Sequence, residues 1–194
     1  MPSRAERIAG QAETLAQQVV ALGTELGVRI AVAESLTGGL VAATLVAVPG
    51  ASQVLSGGIV AYDTALKASL LAVDRDLLRR TGPVDRAVAE QMASGVRVAC
   101  AVPEGASLED HSESAGERQA DVGVATTGVA GPDPDPQTGQ PAGTVWIGVS
   151  SRLGDRAESP ARISGDRGVV RAESVLIALE LVLEELQLLR ESRP

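Results

Sequence analysis

"AVAESLTGGLVAATLVAVPG", residues 31–50, opens as a buried strand and closes as an amphipathic helix, with Glu34-Ser35-Leu36-Thr37-Gly38-Gly39 as a polar, glycine-rich hinge between them. A strand running straight into a helix is the repeating unit of an α/β fold. The alternation extends in both directions. Upstream, Ile8, Leu15, Val19, Leu22 and Leu26 recur at spacings of three, four and seven, one face of a helix ending at Gly27. Downstream, "LSGGIVAY" reads as a second strand, "TALKASLLAVDRDLLRR" as one helix reaching Gly82 with Asp63 and Thr64 as its caps, and "VDRAVAEQMASGVRVACAV" as a helix with Val88, Met92, Val96 and Ala99 on its apolar side. "DVGVATTG", "GTVWIGVSS" and "AESPARIS" are further strands, the last an edge strand or a late-starting one because of Pro160. From Val169 to Leu189, Leu176, Leu179, Val182, Leu183 and Leu186 make a long amphipathic helix. The expected architecture is a three-layer α/β/α sandwich around a mixed sheet.

With 194 residues and 44% hydrophobic content, the chain can bury one sizeable core, so one domain over residues 1–194 is expected. A formal charge of −8 argues against nucleic acid as a partner, since phosphate backbones require a clustered basic surface. No apolar run is long enough to span a membrane, and "MPSRAERIAGQAETLAQQ" lacks the apolar core of a signal peptide, which predicts a cytoplasmic protein. Cys100, the one cysteine, reads as a buried structural thiol. The acidic stretch from Pro103 to Ala120 reads as a solvated surface loop, and its His111, the only histidine, as solvated too, which leaves no His-based triad. Residues 130–143, "AGPDPDPQTGQPAG", form a long loop between two strands, often a functional position.

The hinge suits an anion or an oxyanion, because the first amides of a helix are unpaired and glycine permits close approach to the backbone. The plainer reading is an N-cap at Ser35 or Thr37. The phosphate-binding glycine motifs, G-x-S-x-G and SxxK are all absent. The chain's only lysine, Lys67, stands five residues after its only tyrosine, Tyr62. A chain that otherwise uses arginine keeps one amine, and an amine can do what a guanidinium cannot: lose its proton and act as a base toward a serine hydroxyl. An ordinary exposed helix lysine is the competing reading. Arg167 and Arg171, four residues apart in "GDRGVVR", share one helix face and can hold an anion.

"AESLTGGLVAA", "VPGASQVLSGGIVAYDTALKASLLAV", "GPVDRAVAEQMASGVR", "ATTGVAGPDPDPQTGQPAGTVWIGV" and "GDRGVVR", in this order, resemble the CinA C-terminal domain family of nicotinamide-nucleotide amidohydrolases. The resemblance runs from Ile8 to Leu189. It implies hydrolysis of the carboxamide of nicotinamide mononucleotide to nicotinic acid mononucleotide and ammonia, in pyridine nucleotide salvage, without metal or cofactor. It further implies Ser35 as nucleophile, Lys67 as base and Tyr62 as assisting hydroxyl. Backbone amides at Thr37-Gly38-Gly39 or at Thr127-Gly128 would hold the oxyanion, and Arg167, with Arg171, the substrate phosphate. This chain departs from the family at Leu36, where a cysteine is usual, at Asp63-Thr64, at Asp85, and at Asp133 and Asp135, where glycines follow Ala-Gly-Pro. It resembles the stand-alone form, without the additional N-terminal domain of many members. A sensor of pyridine nucleotides without turnover, or an amidase for another small carboxamide, would use the same residues. The apolar stripe of the last helix could serve a homo-oligomer.

Overall fold

The computed structural model describes residues 1–103 and 116–193. Five strands form one mixed sheet in the order β2-β1-β5-β6-β7: β1 (Ile30–Glu34), β2 (Leu55–Val60), β5 (Val122–Gly128), β6 (Val145–Ser151) and β7 (Gly154–Glu158). β2, β1 and β5 are parallel, while β6 and β7 run antiparallel to their neighbours. Two-residue strands β3 (Val102–Pro103) and β4 (Glu117–Arg118) pair separately, so the flanks of the acidic stretch are held together while residues 104–115, with His111, lie outside the described residues.

The sheet has unlike faces. Ile30, Val32, Val122, Val124, Ile147 and Val149 point to one side, where α1 (Arg4–Leu26), α2 (Leu40–Val46) and α6 (Arg167–Glu191) cover them. The other face carries small residues, Ala31, Ala33 and Ala125, under α3 (Thr64–Leu71), α4 (Arg75–Thr81) and α5 (Arg86–Ala99). Gly123 and Gly148 complete it: a Cβ there would stand 1.9 and 2.2 Å from the carbonyl oxygens of Ala93 and Ala89, so α5 sits closer to the sheet than any side chain would permit. The three-layer sandwich is therefore built with one thick layer of branched side chains and one thin layer of alanine and glycine.

The first helix begins in a capping box between Ser3 and Glu6 and ends at Gly27 in the left-handed region, φ 61°. Three expectations need correction. The helix expected to run from Thr64 to Gly82 is two helices, because Ala72 turns left-handed and Asp74 caps α4 by accepting from the amides of Asp76 and Leu77. The last strand is Gly154–Glu158, ending before Pro160 instead of running through it, since Arg152-Leu153 makes a tight hairpin that pairs Gly154 with Ser151. On α5, Val88, Met92 and Val96 are buried but Ala99 is exposed, and Cys100 is half-buried, with burial pushing its thiol pKa up.

Candidate active site

Parallel strands deliver their carboxyl ends to one edge of the sheet, the usual place for a ligand in an open α/β structure. Here β2 runs out into Ala61-Tyr62, β1 ends at Glu34 just before Ser35, and β5 ends at Thr127-Gly128. The chain stays in register past the strands: the Ser35 amide donates to the Thr126 carbonyl at 2.9 Å and the Ala61 amide to the Glu34 carbonyl at 2.8 Å. Between them lies a cavity of about 420 Å3 whose lining includes Ser35, Tyr62, Lys67, Thr127, Gly128 and Arg167. Six of the ten residues singled out from sequence thus meet at one opening.

Thr37, Gly38, Gly39 and Arg171 are not on that lining. The reason is Glu34, 1% exposed, whose carboxylate turns back under the hinge and accepts the amides of Gly39 at 2.8 Å, Val41 at 3.1 Å and Ala42 at 2.9 Å. The start of α2 is filled by the protein's own carboxylate, and neither Ser35 nor Thr37 caps it; Gly39 is the N-cap, with no side-chain bond. The Gly38 amide donates to the Ser35 carbonyl at 3.2 Å. The amides of Leu36 and Thr37 have no acceptor among the described residues. Left-handed φ values at Gly38 (61°) and Gly39 (97°) let the backbone turn this tightly. Thr37 is buried against Thr126, hydroxyl to hydroxyl at 2.7 Å. Arg171 grips the hinge from behind, Nε to the Leu36 carbonyl at 3.0 Å and Nη2 to the Thr37 carbonyl at 2.8 Å.

Lys67 is not an exposed helix lysine. Asp63 caps α3 at the Ala65 amide, 2.7 Å, and the helix then carries Lys67 inward to 1% exposure, with Nζ donating to the Ala61 carbonyl at 2.8 Å and not to Ser35. Burial lowers its pKa to about 8, against the opposing pull of the Asp63 charge. Tyr62 is 61% exposed at the cavity mouth, and its oxygen accepts from Arg167 Nη2 at 3.1 Å. Arg167 Nη1 donates to the Gly131 carbonyl at 3.0 Å.

Several lining residues carry no site role in the sequence reading: Leu36, Thr64, Pro83, Val84, Ala130 and Pro136. Asp135 lines the cavity and Asp133 does not. The Asp135 carboxylate is occupied by the Thr138 amide at 2.8 Å and hydroxyl at 2.7 Å, while the amide groups of Gln137 and Gln140 tie the loop to the carbonyls of Leu78 and Val84. Glu34 was legible in principle: an acidic residue closing an otherwise apolar strand, just before a helix start, needs the amides that the helix leaves open.

Among the described residues no group of His, Cys, Asp and Glu side chains could hold a metal, and no helix is long and apolar enough to cross a membrane. Compared with known proteins, residues 12–108 and 101–186 match the family model described as CinA C-terminal domain. A CinA-like protein of Frankia casuarinae is 41% identical over 173 residues, 89% of this chain and 35% of that protein. One of Syntrophotalea carbinolica is 38% identical over 171 residues, 87% of this chain and 36% of that protein. The chain therefore spans about a third of the length of these curated relatives. The crystal structure of competence/damage inducible protein CihA from Agrobacterium tumefaciens superposes with a TM-score of 0.76 at 31% identity, covering 91% of this chain and 96% of that one.

Proposed function

Since the chain belongs to the CinA C-terminal domain family, we propose that it hydrolyses the carboxamide of nicotinamide mononucleotide, giving nicotinic acid mononucleotide and ammonia through an acyl-enzyme on Ser35. The observation that carries this reading is Lys67: the only lysine of the chain, buried on the wall of the cavity that Ser35 also lines, with its pKa lowered to about 8. At that pKa a usable fraction of the amine is neutral near neutral pH.

Neutral Lys67 takes the Ser35 hydroxyl proton as Oγ attacks the carboxamide carbon. The negative charge that develops on the carbonyl oxygen is met by the amide of Leu36, which lines the cavity and has no acceptor of its own among the described residues. Collapse breaks the C–N bond, and the protonated Lys67, with Tyr62 at the mouth, returns a proton to the departing nitrogen. Water then cleaves the ester by the same transfers in reverse order. Arg167 faces the cavity beside Tyr62 and suits the substrate phosphate. Arg171 serves the hinge instead of the phosphate.

The test is ammonia release by the purified chain offered nicotinamide mononucleotide, nicotinamide and NAD in turn, with Ser35→Ala as control. The proposal expects release from the mononucleotide and none from the control. Mononucleotide bound without turnover would make the chain a sensing module, and release from a different carboxamide alone would make it another amidase.

A further inference from the structure

The opposite pole of the sheet carries a second concave site. Where the chain enters β1 and β5, beside the carboxyl ends of α1 and α6, a cavity of about 200 Å3 is walled by Arg97, Arg118, Arg152 and Arg193, and Asp121 is the only carboxylate on its lining. In a chain of net charge −8 this is a marked concentration of cations.

Each guanidinium is anchored on one side. Arg97 donates from Nε to the Ala120 carbonyl at 2.9 Å and from Nη1 to the Ser150 hydroxyl at 3.1 Å. Arg118 holds Asp121 at 2.9 Å, Arg152 reaches the Leu189 carbonyl at 3.4 Å, and Arg193 donates to the Leu26 carbonyl. These contacts close the last carbonyls of α1 and α6 and fix the arginine heads, but they engage only part of each fork. Nη2 of Arg97, and Nε and Nη1 of the other three, have no acceptor among the described residues. Asp121 cannot balance them, because the same oxygen that meets Arg118 also accepts the Arg29 amide at 2.7 Å. Arg97, Arg152 and Arg193 have no carboxylate partner among the described residues.

Capping two helix ends accounts for the anchored nitrogens of Arg152 and Arg193, and Ala120, Ser150 and Asp121 for those of Arg97 and Arg118, which leaves the gathered like charges repelling across a small concave space. We propose that this cavity binds a small phosphate-type oxyanion, either inorganic phosphate or the phosphate group of a small metabolite, through forked guanidinium hydrogen bonds. Its volume is below the about 300–1,000 Å3 typical of drug-sized ligands, which fits a phosphoryl group better than a nucleobase. It stands clear of the catalytic cavity: residues 122–126 of β5 lie between Asp121 and the Thr127-Gly128 wall, so the two are roughly 20 Å apart at about 3.3 Å per residue step. Both sites can be filled together.

The test is calorimetric titration of inorganic phosphate and, separately, ribose 5-phosphate into the full chain at low salt, using wild type, Arg167→Ala and the double variant Arg97→Gln/Arg152→Gln. Saturable binding is expected in wild type and in Arg167→Ala, weakened at least about tenfold in the double variant, the size of one lost charge-assisted contact. Added sodium chloride should weaken it too. The tighter of the two ligands identifies the source of the phosphate. Arg118→Glu, a change on a side chain 47% exposed, is expected to show the same loss and serves if the double variant misfolds. Absence of saturable binding in wild type, binding unchanged in the Arg-pocket variants, or loss confined to Arg167→Ala would each overturn the proposal. The last outcome would assign the anion to the catalytic cavity.

Discussion

Arg171 donates from Nε to the carbonyl oxygen of Leu36 at 3.0 Å, fastening the long C-terminal helix to the residue that follows Ser35. Arg167, one helical turn earlier, turns instead into the cavity and reaches Tyr62 at 3.1 Å. Two arginines that look alike in sequence therefore fail differently when removed.

Arg171→Lys keeps the charge but cannot span two carbonyls as a planar fork. The Ser35 turn should loosen while the cavity keeps its lining, so kcat is expected to fall about tenfold or more with KM changed by less than about threefold, the pattern of lost positioning. Steady-state kinetics on the mononucleotide checks this. An unchanged kcat would remove Arg171 from the hinge's support.

Arg167→Ala should show the reverse pattern. Losing a charge-assisted contact to the phosphate costs about 1.5–3 kcal/mol in mononucleotide binding. Nicotinamide riboside, which lacks the phosphate, should be barely affected. Equal increases in KM for both compounds would take Arg167 away from the phosphate.

Lys67→Arg is expected to be as inactive as Lys67→Ala, down roughly a hundredfold or more in kcat, because a guanidinium cannot become neutral to accept the serine proton. Wild-type activity should rise with pH through about 8, as the amine deprotonates. A Lys67→Arg protein retaining a tenth of wild-type kcat would end the assignment of Lys67 as base.

The same lysine predicts a stability profile that needs no assumption about the reaction. Its folded pKa of about 8 lies below the unfolded value near 10.5, so below pH 8 both states are protonated and the folded state bears the full penalty of a buried charge. Between about pH 8 and 10.5 the unfolded chain binds more protons, so stability rises with pH, and above that range the penalty is gone. The full penalty is about 3 kcal/mol. Urea unfolding of wild type and Lys67→Met at pH 7 and pH 10 should show wild type gaining on the variant as pH rises. A difference independent of pH would contradict the lowered pKa.

Gly148→Ala would put a Cβ 2.2 Å from the Ala89 carbonyl oxygen, a backbone atom of α5 that cannot yield without moving the helix. Overpacking of this kind costs about 1–3 kcal/mol. Gly10→Ala, in the middle of α1 with nothing within 4 Å of the new Cβ, should instead stabilise by about 0.5–1 kcal/mol. Urea unfolding of the pair tests whether the thin layer under α5 is set by glycine. Equal effects would say that it is not.

Hydrophobic periodicity made the three layers readable, because strands buried on both faces and helices buried on one leave different spacings. It could not show the break at Ala72, where the apolar pattern continues through Leu71 and Val73 although the helix stops. Nor could it locate β7, whose position depends on a two-residue turn and not on its own mostly exposed side chains. At the site, rarity made Lys67 and Tyr62 conspicuous, and the hinge marked Ser35. The separate duties of Arg167 and Arg171 depend on where α6 starts relative to the hinge, a tertiary relation without a local signature. Glu34 carries a weaker signal: an acid closing an apolar strand calls for donors, but that these are the amides of Gly39, Val41 and Ala42 follows only from the fold of the hinge.

Glu34 has a further consequence for inhibition. A helix start left open is a general-purpose receptor for phosphate, sulfate and carboxylate, and would admit whatever anion is most abundant. By keeping its own carboxylate on the Gly39, Val41 and Ala42 amides, the hinge of α2 is permanently self-inhibited toward such visitors. Simple anions then meet Arg167 at the cavity in place of the α2 start, and millimolar sulfate should be a weak competitor there.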